Sequence, residues 1–578
     1  MDRRFDSRVL IRLAVFVAVF VAPYHTFAAG RPNIVIIMAD DMGYSDAGCY
    51  GSEIATPNLD RLAANGLRYT QFYNTARCCP TRASLLTGLY PHRAGMGWMT
   101  GGPRPHPGYR GTLSHDAVTI AEVLRPAGYA TYMSGKWHVT ADENPDRPKD
   151  NWPRQRGFDR YYGIIKGGGS YFDPATLTRD NTPITPDSDP EYRPDRYYLT
   201  DAIADQAARF IREHAQQSAD KPFFLYCAFT SPHWPLHALE EDIAKYRGRY
   251  DVGYEAIRTA RFERMKKLGV IAPDAELSPA PDRWEDVENK AWEARCMEVY
   301  AAQIDRMDQG IGRILDALRE TGQFDNTLVL FLQDNGACAE DMGREIHEER
   351  MRRTTTQPMK PTDLQLSVFP AYTRDGRPIR DGTSVMPGPA NSFIAYGRGW
   401  ATVSSTPFRE YKHWVHEGGI STPLIAHWPA GLRRRGELEH TPGHLIDLMP
   451  TCVELAGAEY PRRKGDREVP PAAGVSLLPT FRGEPLRRTE PIFFEHEGNR
   501  AVRDSEWKLV AKGAQGPWEL YNIRTDRSEL HDVAADHPER VRAMAAAWET
   551  WARENQVLPL GAYQRRGGQQ QRARSQPR

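Results

Sequence analysis

Asp40-Asp41 directly follows an unbroken apolar run at 33–38, and a second oxygen-rich set, Gln333-Asp334-Asn335-Gly336, directly follows another at 327–332. Adjacent carboxylates repel, which raises a pKa unless a cation neutralises them. Either set alone also suits a turn or a helix N-cap. Both together, each closing a buried strand, predict one site for a hard divalent cation. Oxygen ligands suit Ca²⁺ or Mg²⁺ and disfavour zinc. Cys78-Cys79-Pro80-Thr81-Arg82 is a different kind of chemistry. The stretch from Pro80 to Gly88 reads as the first turns of a helix, with Cys78 just ahead of an N-terminus that favours negative charge. Arg82 falls one turn on, on the same face. Adjacent cysteines at such a place equally fit packing or a redox pair. Gly135-Lys136-Trp137-His138 and Ser231-Pro232-His233-Trp234-Pro235 each follow a predicted strand and bring an ammonium or an imidazole to the same rim. Lys412 lies in Phe408-Arg409-Glu410-Tyr411-Lys412, ahead of Glu417-Gly418-Gly419-Ile420-Ser421-Thr422-Pro423.

The elements that must position these residues are legible as hydrophobic pattern. Strands are predicted at 33–38, a continuous apolar run of the kind buried on both faces of a sheet, and at 130–134, 223–229 and 327–332. Helical stripes separate them: Leu59, Leu62 and Ala63 behind Thr56-Pro57 as N-cap and first-turn proline, with Gly66 as C-cap; Ile203, Ala207, Phe210 and Ile211; and Ile304 through Leu318, closing at Gly322. This alternation predicts an α/β domain with a largely parallel sheet, helices on both faces and a site at the carboxyl ends of the strands. The segments 235–286 and 342–400 break the rhythm and are expected to be insertions over the active face. From Pro491 short antiparallel strands are predicted at 492–494, 507–510 and 518–521, then a helix from Pro538 to about Asn555. The organisation is thus a leader at 1–28, a catalytic domain at 32–480, a C-terminal α+β subdomain at 488–558 with a short antiparallel sheet, and a disordered tail at 561–578.

The chain has 578 residues, 40% hydrophobic and 26% charged, enough for a large core. Lys plus Arg equals Asp plus Glu at 75 each, so no global field draws it to nucleic acid. Arg3, Arg4, Arg8 and Arg12 precede the apolar run Leu13 to Ala22, with Thr26-Phe27-Ala28 as a cleavage site, which predicts export to the periplasm or outside the cell and no stable membrane anchor. Seven scattered cysteines do not form a disulfide framework, and no spacing suggests zinc.

The stretch from Cys78 to Arg82 resembles the Cys-x-Pro-x-Arg signature of sulfatases, and the motifs around Asp40, Lys136, His233, Asp334 and Lys412 follow in the family's order. The resemblance, to bacterial arylsulfatases, runs from Pro32 to about Val557. Ser421 departs from it, standing where many members carry arginine. The resemblance implies an alkaline-phosphatase-like fold and oxidation of Cys78 to formylglycine (3-oxoalanine) by a formylglycine-generating maturation enzyme. It also implies one divalent cation, Ca²⁺ rather than Mg²⁺, on Asp40, Asp41, Cys78, Asp334 and Asn335. On the family's pattern Arg82 orients the hydrated aldehyde, Asp334 takes a proton from it, Lys136 binds sulfate, and His233 and Lys412 assist the leaving oxygen. His138 takes the second proton as the aldehyde reforms. The implied activity is hydrolysis of an aryl sulfate or a sulfated carbohydrate. The alternatives are a phosphomonoesterase or phosphodiesterase of the same superfamily, disfavoured by too few His and Asp for two metals, and a secreted binding protein with an unmodified cysteine. Glu495-His496-Glu497-Gly498-Asn499-Arg500 is either a sugar-reading loop over the pocket or a structural turn.

Overall fold

In the computed structural model, which describes residues 30–101 and 104–564, the apolar runs form the middle of one large sheet. The predicted leader at 1–28, and 565–578 of the predicted tail, lie outside the described residues. The main strands are β1 (Asn33–Ala39), β2 (Leu67–Tyr73), β3 (Ala130–Gly135), β4 (Arg160–Ile164), β5 (Leu177–Arg179), β6 (Phe223–Ala228), β7 (Thr327–Gln333) and β8 (Ser421–His427). Their spatial order is β2-β8-β7-β1-β6-β3-β4-β5. From β7 to β4 the neighbours are parallel, while β8 runs antiparallel to both β7 and β2. Alternation along β1 explains its unbroken apolarity. Val35 and Ile37 enter the core shared with Ile304, Met307 and Ile311, whereas Ile34, Ile36 and Met38 enter the opposite core with Leu85 and Leu86.

Register then decides where chemistry collects. Met38 pairs with both Ala228 and Leu332, and Ala228 pairs with Gly135, so the chain leaves β1, β6, β7 and β3 at one level. Antiparallel β8 begins at that same rim, since its Leu424 pairs with Leu332. Tyr73, ending β2, pairs with Ser421, which delivers the next segment there as well. Gly336 is required at the rim: a Cβ on it would meet the Gly418 carbonyl oxygen at 1.9 Å.

Helices α1 (Pro57–Ala64), α2 (Cys78–Thr87), α3 (Leu199–Gln217) and α4 (Lys290–Glu320) cover the sheet. Helix α2 starts at Cys78, not at Pro80: Arg77 is the N-cap and its carbonyl accepts from the Thr81 amide at 2.9 Å. Pro80 at the third position sacrifices no hydrogen bond, because first-turn amides have no intrahelical acceptor. Thr56 precedes α1 but does not cap it through its side chain, whose hydroxyl accepts from the Gly48 amide and donates to Asp60. Asn65 is the C-cap, and Gly66 permits close approach to the Ala426 carbonyl.

The C-terminal strands β9 (Ile492–His496), β10 (Asn499–Asp504), β11 (Trp507–Ala511) and β12 (Glu519–Asn522) form an antiparallel sheet under helix α5 (Pro538–Glu554). Trp548 and Trp551 of α5 cover Phe493, Val502, Leu509 and Leu520 on one face, while Ile492, Phe494 and Val510 pack on Tyr73, Val415 and Ile420 on the other. The fold is α/β, with this small sheet docked on the large one. Strand β10 was not expected, and with it Glu495–Arg500 becomes a hairpin whose Glu495 is buried against His92 at 2.6 Å. The segment 235–286 does not cover the active face. Arg261 of this segment, fully buried, pairs with Asp46 and Glu53 and pins it behind the turn that follows β1. The tail was expected from 561, but Tyr563 is buried and stacks on Trp98 at 4.7 Å, so packing extends through that residue. All seven cysteines are free and buried. Among the described residues no helix is long and apolar enough to cross a membrane.

Fully buried Lys508 ties the two sheets together, 2.9 Å from Glu417 and 2.8 Å from Glu529. Removing one partner of a buried ion network leaves uncompensated charge, at about 3–5 kcal/mol. Lys508→Met is therefore expected to lower the urea midpoint by the equivalent of several kcal/mol. A variant as stable as the parent would show that the network carries no weight.

Candidate active site

Asp40 and Asp41 leave β1, and Asp334 and Asn335 leave β7, as neighbours. The Asp41 amide donates to Asp334 Oδ1 at 3.2 Å, and Asn335 Nδ2 donates to Asp41 Oδ1 at 2.7 Å. Asp41 has a φ of 64°, which turns its carboxylate back into the cluster. Cations surround these oxygens. Lys136 Nζ donates to Asp40 Oδ2 at 2.5 Å, Arg82 Nη2 to Asp334 Oδ2 at 2.8 Å, and Lys412 Nζ to Asp41 Oδ2 at 2.9 Å. His233 Nδ1 donates to the Trp234 carbonyl at 2.7 Å, so Nε2 is the nitrogen turned to Asp41 Oδ2, 3.5 Å away. Arg82 also donates to the Lys136 carbonyl at 3.1 Å, which locks α2 to the end of β3. All of these side chains are buried.

Cys78 sits in the first turn of α2 beside Cys79 and His138, with one donor atom from each within 4.8 Å of the others. His138 Nε2 is 3.2 Å from Cys79 Sγ, and its Nδ1 is buried without a partner. The structure therefore brings together the residues that the sequence assigned to catalytic and metal positions: Asp40, Asp41, Cys78, Arg82, Lys136, His138, His233, Asp334, Asn335 and Lys412.

Electrostatics follow from burial. Burial and the Asp40 carboxylate push Asp334 up to about 8, and burial also raises Asp40. Burial would raise Asp41 too, but Lys412 and His233 hold it below the usual carboxylate range. A hydrogen bond from Cys79, with Lys136 and His138 nearby, holds the Cys78 thiol well below its ordinary value against the effect of burial. Burial pushes His138 and His233 each down to about 4, so both imidazoles are neutral near pH 7. Three carboxylates this close do not ionise together without further positive charge. Asp40 Oδ1 and Asn335 Oδ1 are moreover buried with no hydrogen-bond donor. Orphaned hard oxygens beside a proton-retaining carboxyl are the features of a site that fits a divalent cation.

A cavity of about 660 Å³ opens onto Cys78, His138, His233 and Lys412. One wall is apolar, from Met99, Trp234, Leu366, Val368 and Phe369, with Trp234 and Phe369 stacked at 5.4 Å. The lining also carries the charged groups of Arg77, Glu143 and Lys166, and Lys166 Nζ donates to the Leu366 carbonyl at 2.6 Å. The segment 342–400 thus reaches the active face, while 235–286 and 495–500 contribute nothing to the lining. Sequence reasoning missed Glu340, which accepts from Trp234 Nε1 at 2.7 Å, pairs with Arg77 at 2.8 Å and lies 3.9 Å from Lys412 Nζ. Its position six residues after Asp334 was the available signal. At Ser421 a guanidinium is supplied through space: Arg527 Nη2 donates to Ser421 Oγ at 3.0 Å and pairs with Glu417 at 3.4 Å.

The family model described as Sulfatase matches residues 32–458. An uncharacterized sulfatase of Schizosaccharomyces pombe (strain 972 / ATCC 24843) is 34% identical over 559 residues, covering 91% of this chain and 94% of that protein. The arylsulfatase of Klebsiella aerogenes is 34% identical over 464 residues, covering 78% of this chain and 92% of that protein. The solved structure of Ps i-CgsB matches with a TM-score of 0.63 and 27% identity over 91% of this chain and 94% of its own, and that protein is also solved in complex with k-i-k-neocarrahexaose.

Proposed function

The chain belongs to the sulfatase family and is a sulfuric ester hydrolase, and from that premise we propose that formylglycine made from Cys78 carries the reaction beside one divalent cation. Asp40, Asp41, Asp334, Asn335 and residue 78 would hold the cation, with Ca²⁺ the choice for an all-oxygen donor set and Mg²⁺ the second. The hydrated aldehyde supplies a hydroxyl nucleophile with a second hydroxyl on the same carbon, and the cation supplies Lewis acidity. The observation that carries this reading is the pair of orphaned oxygens, Asp40 Oδ1 and Asn335 Oδ1, with a buried Cys78 close enough to Asp40 to influence its ionisation.

The remaining work falls to side chains already in place. Arg82, held by Asp334, orients residue 78 from one turn along α2. Asp334, whose oxygens accept from Arg82 and the Asp41 amide, would accept a proton from residue 78. Lys136 and Lys412 present ammonium groups to the sulfate oxygens, and Lys412 with His233 Nε2 faces the cavity from which the alcohol or phenol departs. Neutral His138 is fit to accept the second proton when sulfate is expelled. Burial of all these groups strengthens each electrostatic contact relative to water.

The apolar wall supports an aryl or otherwise apolar leaving group. Loss of one stacked ring costs about 0.5–1.5 kcal/mol. Phe369→Ala is accordingly expected to raise KM for an aryl sulfate roughly tenfold at most, with little change in kcat, whereas an unchanged KM would remove Phe369 from the substrate contact. A sulfated carbohydrate is the second reading, favoured by the charged groups of Arg77, Glu143 and Lys166 in the lining and by the oligosaccharide bound to Ps i-CgsB. Turnover of an aryl sulfate against a sulfated oligosaccharide separates the two.

Chelation tests the cation. Dialysis against EDTA is expected to abolish turnover and lower Tm, and Ca²⁺ at 100 times its Kd should restore about 2.7 kcal/mol of stability. Full activity in a protein shown to be free of metal contradicts the proposal. The same reading makes the chain a substrate of a formylglycine-generating enzyme and, from the leader sequence at 1–28, an exported protein.

A further inference from the structure

Next to the cavity, in the turn between β9 and β10, is a cluster that the hydrolytic reaction does not use. His496 ends β9, fully buried, and neither ring nitrogen has a hydrogen-bond partner. Each unsatisfied buried polar group costs about 1–3 kcal/mol, so two on one ring call for a ligand. One ring face is covered by Trp98, stacked at 5.6 Å, and the His413 ring stands edge-on at 5.8 Å. Glu497 follows in a left-handed conformation (φ 53°) and its carboxylate lies 2.5 Å from His413 Nδ1. His413 is itself left-handed (φ 90°), held by its amide donating to the Ala76 carbonyl at 2.8 Å and by Asn499 Nδ2 donating to its own carbonyl at 3.3 Å. Such backbone costs about 1–3 kcal/mol for a non-glycine residue and persists only where surrounding structure fixes it. Here it fixes one donor atom from each of three side chains within 4.8 Å of the others.

We propose that His413, His496 and Glu497 form a second metal site, for a zinc-like divalent ion, that clips the β9–β10 turn to the segment carrying Lys412. Two imidazoles and one carboxylate with a position left for water are a zinc donor set, and unlike the oxygen cluster they do not suit calcium. Burial pushes the His496 imidazole down to about 3, so it is neutral and available as a ligand. His413 is partly exposed, which gives the ion a route in. Arg77, the cation facing this cluster, is already paired with Glu340. Because Lys412 immediately precedes His413, an ion here would fix the main chain from which Lys412 reaches Asp41. The site stands on its own geometry, whatever the chemistry at residue 78.

The test is zinc titration of the full-length protein with Ca²⁺ saturating, which keeps the oxygen cluster occupied. Expected are one zinc per chain by elemental analysis after gel filtration and a rise in Tm. His496→Ala, His413→Ala and Glu497→Gln should each weaken zinc binding at least about 100-fold, since even substitutions behind the ligands cost about 10–100-fold. His531→Ala, which removes an exposed imidazole paired with Glu276, should change nothing. Should His496→Ala fail to fold, the partly exposed His413 decides. Absence of stoichiometric zinc in the parent, or uptake that survives His413→Ala and Glu497→Gln, would overturn the proposal.

Discussion

Cys78→Ser is expected to fold like the parent, to lose at least about 10⁴-fold in steady-state turnover of an aryl sulfate, and to retain one sulfuryl group per chain. The substitution exchanges one small side chain for another in the first turn of α2, where the thiol is buried beside Cys79 and His138, partners that a hydroxyl can also hydrogen-bond. Serine offers a single hydroxyl at the place where the hydrated aldehyde offers two. Lys136, Lys412, Arg82 and Asp334 remain to support attack on sulfur, so transfer to the serine oxygen proceeds. Departure does not: expulsion of sulfate without a second attack on sulfur requires another ionisable hydroxyl on the same carbon. Intact-mass measurement after incubation with substrate should show the added SO₃ group on Cys78→Ser and none on Cys78→Ala. Serine turnover at the parental rate would remove formylglycine from the account.

Asp334→Asn carries the second large effect. Asp334 is the acceptor of the Arg82 guanidinium at 2.8 Å and of the Asp41 amide at 3.2 Å, and it is the carboxyl that burial and Asp40 push up to about 8. The amide keeps the shape and removes both the negative charge and the proton acceptor. Affinity for Ca²⁺ should fall at least about tenfold, as expected when a ligand's charge is lost. Turnover with Ca²⁺ raised to saturation should remain about 10²–10⁴-fold low, the range for a missing general base. The two readouts separate the roles: recovery of full kcat at high Ca²⁺ would reduce Asp334 to a metal ligand.

Much of the site was legible because β1, β6 and β7 are buried on both faces and so read as unbroken apolar runs, each with its polar residues gathered at the end. The strands that complete the rim were harder to read. In β2, Arg68 and Gln71 interrupt the pattern where side chains turn outward, and in β8 Pro423 follows a Gly-Gly turn. Both are strands because of their neighbours rather than their own sequence. Cys78 was placed ahead of its helix by reading Pro80 as the first turn, although the first free amides allow α2 to begin two residues earlier. Glu340 left only its nearness to Asp334 in the sequence as a signal, since its role depends on where Arg77, Trp234 and Lys412 meet in space. The departure at Ser421 shows the converse: a guanidinium missing from the local pattern arrives from Arg527, carried by the C-terminal segment. Of the two readings for 495–500 the structural turn holds, because a hairpin with an unforeseen partner strand turned Glu495 inward to His92.

The most direct test is the mass of the proteolytic peptide containing residue 78, taken from protein produced with a formylglycine-generating enzyme and active on an aryl sulfate. The account predicts a peptide lighter than its sequence by the difference between SH₂ and O, with an aldehyde that reacts with a hydrazide. A fully active preparation in which Cys78 is recovered as an unmodified thiol would contradict it.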